Sequence, residues 1–499
     1  MTYLNALKAS VCAVALVSAN AAFADVTAED VWNDWKDQFG IYGEDGISIG
    51  SESAGDGKVV VTDLTMTFDD GTTKSEGTIA SITFEENGDG TVSVTMAETF
   101  PIMVEDRSGG TVTMSFEHSG LEMLVSGDPD AMDYAITADR YAIVIDEITE
   151  DGETVQGDMR FVMNGLSGSY TTTMGEMRDI TSDLAATSVD VLVDVTDPST
   201  DGTILISGKL DALAFTANMA LPFDGSFEDP DDLFVNGFAL DGAYSYDSAN
   251  LLFDVNDGPE TANGTVSTGS SDIAVAINAD KMSYNVATND IAMQMTVPDM
   301  PFPVNVTMAN YGVGIEMPLG QTEEPAPFGM SFDLVDLSIN DEIWMLFDPM
   351  GQLPRDPATV SMALSGTAKL FFDILDPEQA EAMENSDQPG ELYSLDLDRL
   401  KLAIAGAMLT GDGSFTFDND APFVVPDMPR PEGQVTLNLK GGNKLIDTLV
   451  NMGLLPEDQA MGARMMMGMF ARNVGDDELT STLEVNSEGH ILANGQRIQ

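Results

Sequence analysis

From Gly46 to about Gly320 the chain alternates apolar and polar residues with a period of two, a pattern that a strand can bury and a helix cannot. Val92, Val94 and Met96 alternate with Thr91, Ser93 and Thr95. Val112, Met114 and Phe116 repeat the arrangement, as do Val189, Val191, Val193 and Val195. Between these runs lie Asn87-Gly88-Asp89-Gly90, Asp151-Gly152 and Asp201-Gly202, the residues that tight hairpins need at left-handed positions. One-sided alternation implies antiparallel sheet with one apolar and one polar face. A chain of 499 residues is too long for one compact core, so the pattern predicts a long meander. A loose repeat of short strands around Tyr134, Tyr170, Phe215, Tyr246 and Tyr284 fits hairpin-sized units added along one sheet.

The ends read differently. Thr27 to Phe39 predicts a helix, with Thr27 and Asp30 as a capping box and Ala28, Trp32, Trp35 and Phe39 on one stripe. Trp344 to Ala358 predicts a short helix or turn stopped by Asp348-Pro349 and Asp356-Pro357. In the tail, Leu445, Ile446, Leu449 and Val450 form one helix face closed by Gly453, and Pro456 opens a second, methionine-rich helix. Strands around Leu479 to Val485 and Ile491 to Ala493 close the chain. The predicted fold is mainly β (α+β): a long, curved antiparallel sheet of many strands, an N-terminal helix, a C-terminal helical pair and a closing hairpin. Pro-bearing segments at 298–305 and 321–329 suggest edges or connections, since proline cannot donate inside a sheet. The predicted divisions are 1–24, 25–325 as the strand-rich meander with its helix, and 326–499 as a β/α region with helices near 443–453 and 456–472.

Residues 1–24 have the form of a secretory signal: Lys8, the apolar run Val11 to Val17, and a small-x-small site at Ala22-Phe23-Ala24. Cleavage after Ala24 would remove Cys12, the one cysteine, and leave an exported, periplasmic protein without disulfides or a membrane span. Net charge is −64, with 84 acidic against 20 basic residues, which opposes binding of nucleic acid.

Catalytic equipment is sparse. His118 and His490 are the only histidines, too few for a three- or four-ligand zinc site of His and Cys. There is no thiol after cleavage, no G-x-S-x-G elbow that precedes a helix and no phosphate loop. Glu85, Asn87, Asp89 and Gly90 imitate the start of a calcium loop, but the twelfth position is Met96, so a hairpin turn is expected. No catalytic residue, metal or cofactor is therefore expected. Arg355, framed by Pro354 and Asp356-Pro357, is a candidate polar anchor, either in a structural ion pair or on a ligand. The 31 methionines either fill irregular core or line an adaptable groove for acyl chains, with Trp344, Met461, Met465, Met466, Met469 and Phe470 as candidate groove or cap residues.

The runs DEIWMLFDPMGQLPRDPA, LTGDGSFTFDND, PEGQVTLNLKGGNKLIDTLVNMGLLP and SEGHILANGQRI resemble the DUF2125 family of exported, uncharacterised bacterial proteins, most specifically from Trp344 onward. A looser resemblance is to DUF945/AsmA-like periplasmic envelope proteins. These imply an exported protein of a diderm bacterium with no assigned catalytic residues. The expected function is non-enzymatic: handling of a hydrophobic ligand, a lipid, in envelope maintenance. The alternative is a structural or interaction module presenting its acidic surface to an envelope protein.

Overall fold

The computed structural model describes residues 25–39, 46–69, 72–106, 109–150, 152–198, 200–223, 230–258, 260–386, 388–421, 423 and 428–499. The expected signal at 1–24 lies outside the described residues.

Strands must pair their backbone groups laterally, and here they do so in one unbroken ladder. Among the described residues twenty-six strands join a single sheet, with Ile47–Gly55 at one edge and the closing hairpin Ile491–Ala493 and Gln496–Arg497 at the other. Ladder order largely follows chain order, so Ala131–Glu150, Glu153–Met174 and Arg178–Thr196 are antiparallel neighbours. In places two short strands share one position: Ala239–Tyr246 and Ser248–Asp257 both pair with Thr203–Leu221. The sheet continues across the proline-bearing segment 321–329, where Val304–Pro318 pairs with Ala326–Ile339. About twenty ladder positions at ~4.8 Å place the edges roughly 90 Å apart along the sheet.

Both tail helices form, at Gly442–Asn451 and Glu457–Phe470, and Asp341–Phe347 is the short helix expected around Trp344. Two helices escaped the sequence reading, Pro230–Val235 and Pro377–Glu384. The second has its own signal, because Asp376 caps the amides of Glu378 and Gln379 and proline occupies the first turn.

Simple alternation would not keep one face apolar, because the long strands change phase near their middles. Met282, Tyr284 and Val286 give way to Ile291, Met293 and Met295, and between them Asp290 has φ 50°. Val59 and Val61 give way to Leu64 and Met66 around Asp63 at φ 50°, and Phe332 and Leu334 to Leu337 and Ile339 around Asp336 at φ 54°. Gly165 (φ 60°) and Ala212 (φ 56°) do the same in their strands. Each left-handed residue slips the alternation by one, returning the next apolar side chain to the original face. These residues sit in line across the sheet, beside residues that leave them room. A Cβ on Gly50 would fall 2.8 Å from that of Asp63, and one on Gly269 would fall 3.2 Å from that of Asp290. Asp and Gly accept the left-handed region at modest cost, whereas alanine has no side-chain hydrogen bond to support it.

The N-terminal helix, Ala28–Phe39, lies on the apolar face at the first strands. Its capping box is as expected: Thr27 N donates to Asp30 Oδ2 at 3.0 Å, and Asp30 N to Thr27 Oγ1 at 3.2 Å. Trp32 and Trp35 pack on Phe84, with ring centroids 5.7 and 5.2 Å apart. Val59, Ile82, Val94, Val125 and Tyr134 complete this core. The helix also buries Asp34, which accepts from Arg178 Nη1 at 2.7 Å, Tyr134 Oη at 2.7 Å and Gln38 Nε2 at 2.8 Å. Arg178 begins a strand on the same face, and both members of the ion pair are buried. The desolvated charges are matched to each other, so removing one leaves the other stranded.

Two outcomes follow. Ala212→Gly should raise stability in urea unfolding by up to about 1 kcal/mol, and a lowered midpoint would contradict a strained backbone there. Asp34→Ala should cost about 3–5 kcal/mol, while pairing it with Arg178→Met should recover much of that loss. A loss in the double variant equal to the sum of the two single losses would show that the pair is not coupled.

Candidate functional site

The phase slips build one continuous apolar surface. Across the ladder, directly paired residues run Leu184, Phe215, Tyr244, Ile273, Val286, Val313, Phe332, Met362 and Leu400. Beyond the line of left-handed residues a second row passes from Phe100 through Phe161, Val191, Leu251 and Met293 to Ile339. The opposite face carries rows such as Thr181, Asn218, Asp241, Ala276, Ser283 and Glu316. Of the methionines expected in either core or groove, Met293 and Met362 lie in these apolar rows and Met282, Met295 and Met330 in neighbouring rows of the same face.

Helices cover this face at its two ends. The N-terminal helix reaches as far as Arg178, and the strands after it are open: Phe215, Val275, Ile315 and Met330 are 37–45% exposed. The short helix Pro230–Val235 adds only a small local core, Leu233 against Leu221, with Met219 and Phe238 beside it. Toward the C-terminus the face is covered again, and there it forms a half-open cavity of 380 Å³. Its floor is sheet, with Leu337, Ile339, Ala358 and Ile404; its other walls come from Trp344 and Phe347, Leu353, and Leu445 and Leu449 of the first tail helix.

Two sequence candidates meet in this cavity. Trp344 and Arg355 both line it, as does Asp356. The Arg355 Nη1 forms an ion pair with Asp341 at the start of the short helix, so the structural pairing anticipated for it exists. Asp348, fully buried, holds the turn by accepting from Gln352 N and Leu353 N, each at 2.9 Å. The Gln352 bond, then that of Leu353 and the nearby Arg355 charge, lowers the Asp348 carboxyl below its ordinary range despite opposing desolvation. The tail methionines lie elsewhere. Met461, Met465, Met466 and Met469 are 59–69% exposed on the second tail helix, which buries only Ala460, and Phe470 is half-buried. The structure thus joins Trp344 and Arg355 to the sheet face and leaves those four methionines facing solvent.

The remaining sequence candidates have local explanations. Asn87 N donates to Thr91 O at 2.9 Å, making the Glu85–Gly90 segment a hairpin turn. His118 Nε2 lies 2.9 Å from Ala97 O, and His490 Nδ1 3.1 Å from Glu488. Among the described residues no group of three or more His, Cys, Asp or Glu side chains could hold a metal ion. Among them also, no helix is long and apolar enough to cross a membrane.

Residues 250–492 match the family model described as an uncharacterized protein conserved in bacteria, DUF2125. Residues 250–492 of the chain fall in this family. The DUF2125 match contains the whole lining of the end cavity and begins after the Asp34–Arg178 pair. No curated protein matches the chain.

The acid response of the cavity turn has a definite sign. Asp348 is more acidic folded than unfolded, so its stabilisation is complete above the unfolded value near ~3.9 and fades as pH falls through the lower folded value. Trp344 emission should change only in strong acid, and Asp348→Asn should lose that acid step. A wild-type transition near neutrality would rule Asp348 out as its cause.

Proposed function

We propose that this protein is a non-enzymatic periplasmic binder that carries a lipid along its apolar sheet face in envelope upkeep. The observation that carries the reading is the open stretch between the two helical covers, where Val275, Ile315 and Met330 meet solvent in one row through Tyr284 and Phe215 does so in the row beside it. Apolar patches beyond a few hundred Å² are rare on soluble proteins without a binding role. Burying a chain there gains ~0.8 kcal/mol per methylene, and flexible methionines adapt to a chain without fixed shape. The leader-like residues 1–24 favour export.

Organic extraction of the purified full chain, read by native mass spectrometry, tests this. Wild type should carry lipid. Ile315→Asp with Met330→Asp should reduce the amount on the order of tenfold, since each places a charge against the chain, with the circular dichroism unchanged. A consistently empty wild type that captures one envelope protein in stoichiometric amount would favour the alternative, an interaction module presenting its acidic face.

A further inference from the structure

We propose that the cavity at the C-terminal end of the sheet face is a separate site for one acyl chain bearing an uncharged polar head, an alcohol or ester such as a monoacylglycerol. The inference rests on the lipid reading for its ligand class and adds a place and a head-group chemistry. At 380 Å³ the cavity lies near the lower end of ligand pockets, about 300–1,000 Å³, which suits a single chain better than a two-chain lipid. Its floor continues the open face: Ile339 ends the apolar row that passes through Met293, and it pairs with Val306 in that row. A chain lying along the row therefore meets the cavity without crossing a polar strip.

The polar end defines the head. Arg355 is the one cation in the lining, and its Nη1 already serves Asp341. A guanidinium has five N–H donors, so others are free to meet an ester carbonyl or hydroxyl oxygen. Asp356 shares the lining, and with Asp341 it sets two carboxylates against that single guanidinium. A carboxylate or phosphate head would meet excess like charge there. A hydroxyl can instead accept from Arg355 and donate to Asp356.

Trp344 gives a direct readout, because the other two tryptophans, Trp32 and Trp35, are buried beneath the N-terminal helix. Monopalmitin titrated into the full chain should change tryptophan emission saturably, and Trp344→Phe should abolish the change. By calorimetry, Leu449→Trp should weaken monopalmitin on the order of tenfold by filling the cavity, and palmitate should bind wild type more weakly than monopalmitin. An unchanged Trp344 signal at saturation, unaltered affinity in folded Leu449→Trp, or tighter palmitate binding would overturn the proposal. If Leu449→Trp does not fold, the Trp344 signal and the palmitate comparison decide. The two readings separate cleanly. Lipid lost from the Ile315→Asp, Met330→Asp protein while Leu449→Trp binds monopalmitin normally sinks the cavity alone. A lipid-free wild type whose Trp344 still responds saturably sinks the carrier reading alone.

Discussion

Without the slips at Asp63, Asp290 and Asp336, half of each of those strands would turn its apolar side chains onto the face that carries Thr, Asp and Asn. A single-layer sheet has no second layer to hide such an error, and a one-residue shift exchanges the two faces completely. The left-handed residues therefore hold the two halves of the sheet to one apolar side. Their local cost is small because most are Asp or Gly, and because small neighbours such as Gly50 and Gly269 leave them room. Irregularities of this kind also bend and twist the strands that contain them.

Given one apolar face, its coverage decides what is left for function. The N-terminal helix covers it with tryptophan and valine, then meets Arg178 with Asp34 at the far side of that core. An arginine on an apolar surface needs an anion close by, and the helix supplies it across 144 residues of chain. The pair makes a definite end to the covered part, and the next strands stay open. At the other end the cover consists of short helices over a cavity, held by a turn whose buried Asp348 is satisfied by backbone amides. Between the two, apart from the short helix over Leu221, the described residues leave the face open.

Much of this was legible in the amino-acid sequence. Alternation with Asn, Asp and Gly turns identified the sheet, and Thr27 with Asp30, Gly453 and Pro456 marked the helices within a few residues. The phase slips were also readable: Met282, Tyr284 and Val286 are even, Ile291, Met293 and Met295 are odd, and Asp290 stands between them. What pattern could not supply was pairing between distant segments. Nothing in the helix pattern marks Asp34 for burial, because its partners, Tyr134 and Arg178, lie on remote strands. Trp344 and Arg355 were singled out as unusual residues, yet their cavity needs Ile404 and Leu449 as well. The methionine-rich helix misled for the opposite reason: dense apolar residues imply burial only when a neighbouring element exists to bury them, and here only Ala460 is buried.

An open apolar face invites a second copy to stack upon it, and the −64 charge looks at first like the safeguard. Magnitudes argue otherwise. Stacked sheets sit ~10 Å apart, so charges on the two outer faces would be separated by more than a screening length of ~8 Å at physiological salt. Their repulsion would be largely lost. The helices are the better obstacle, since each with its side chains is ~10–12 Å across and the covers rise from the face at both ends. A second sheet could not approach to packing distance over the strands between them without displacing one. A slender flexible chain could. The same covers that close the ends of the face thus also limit what can lie on its middle.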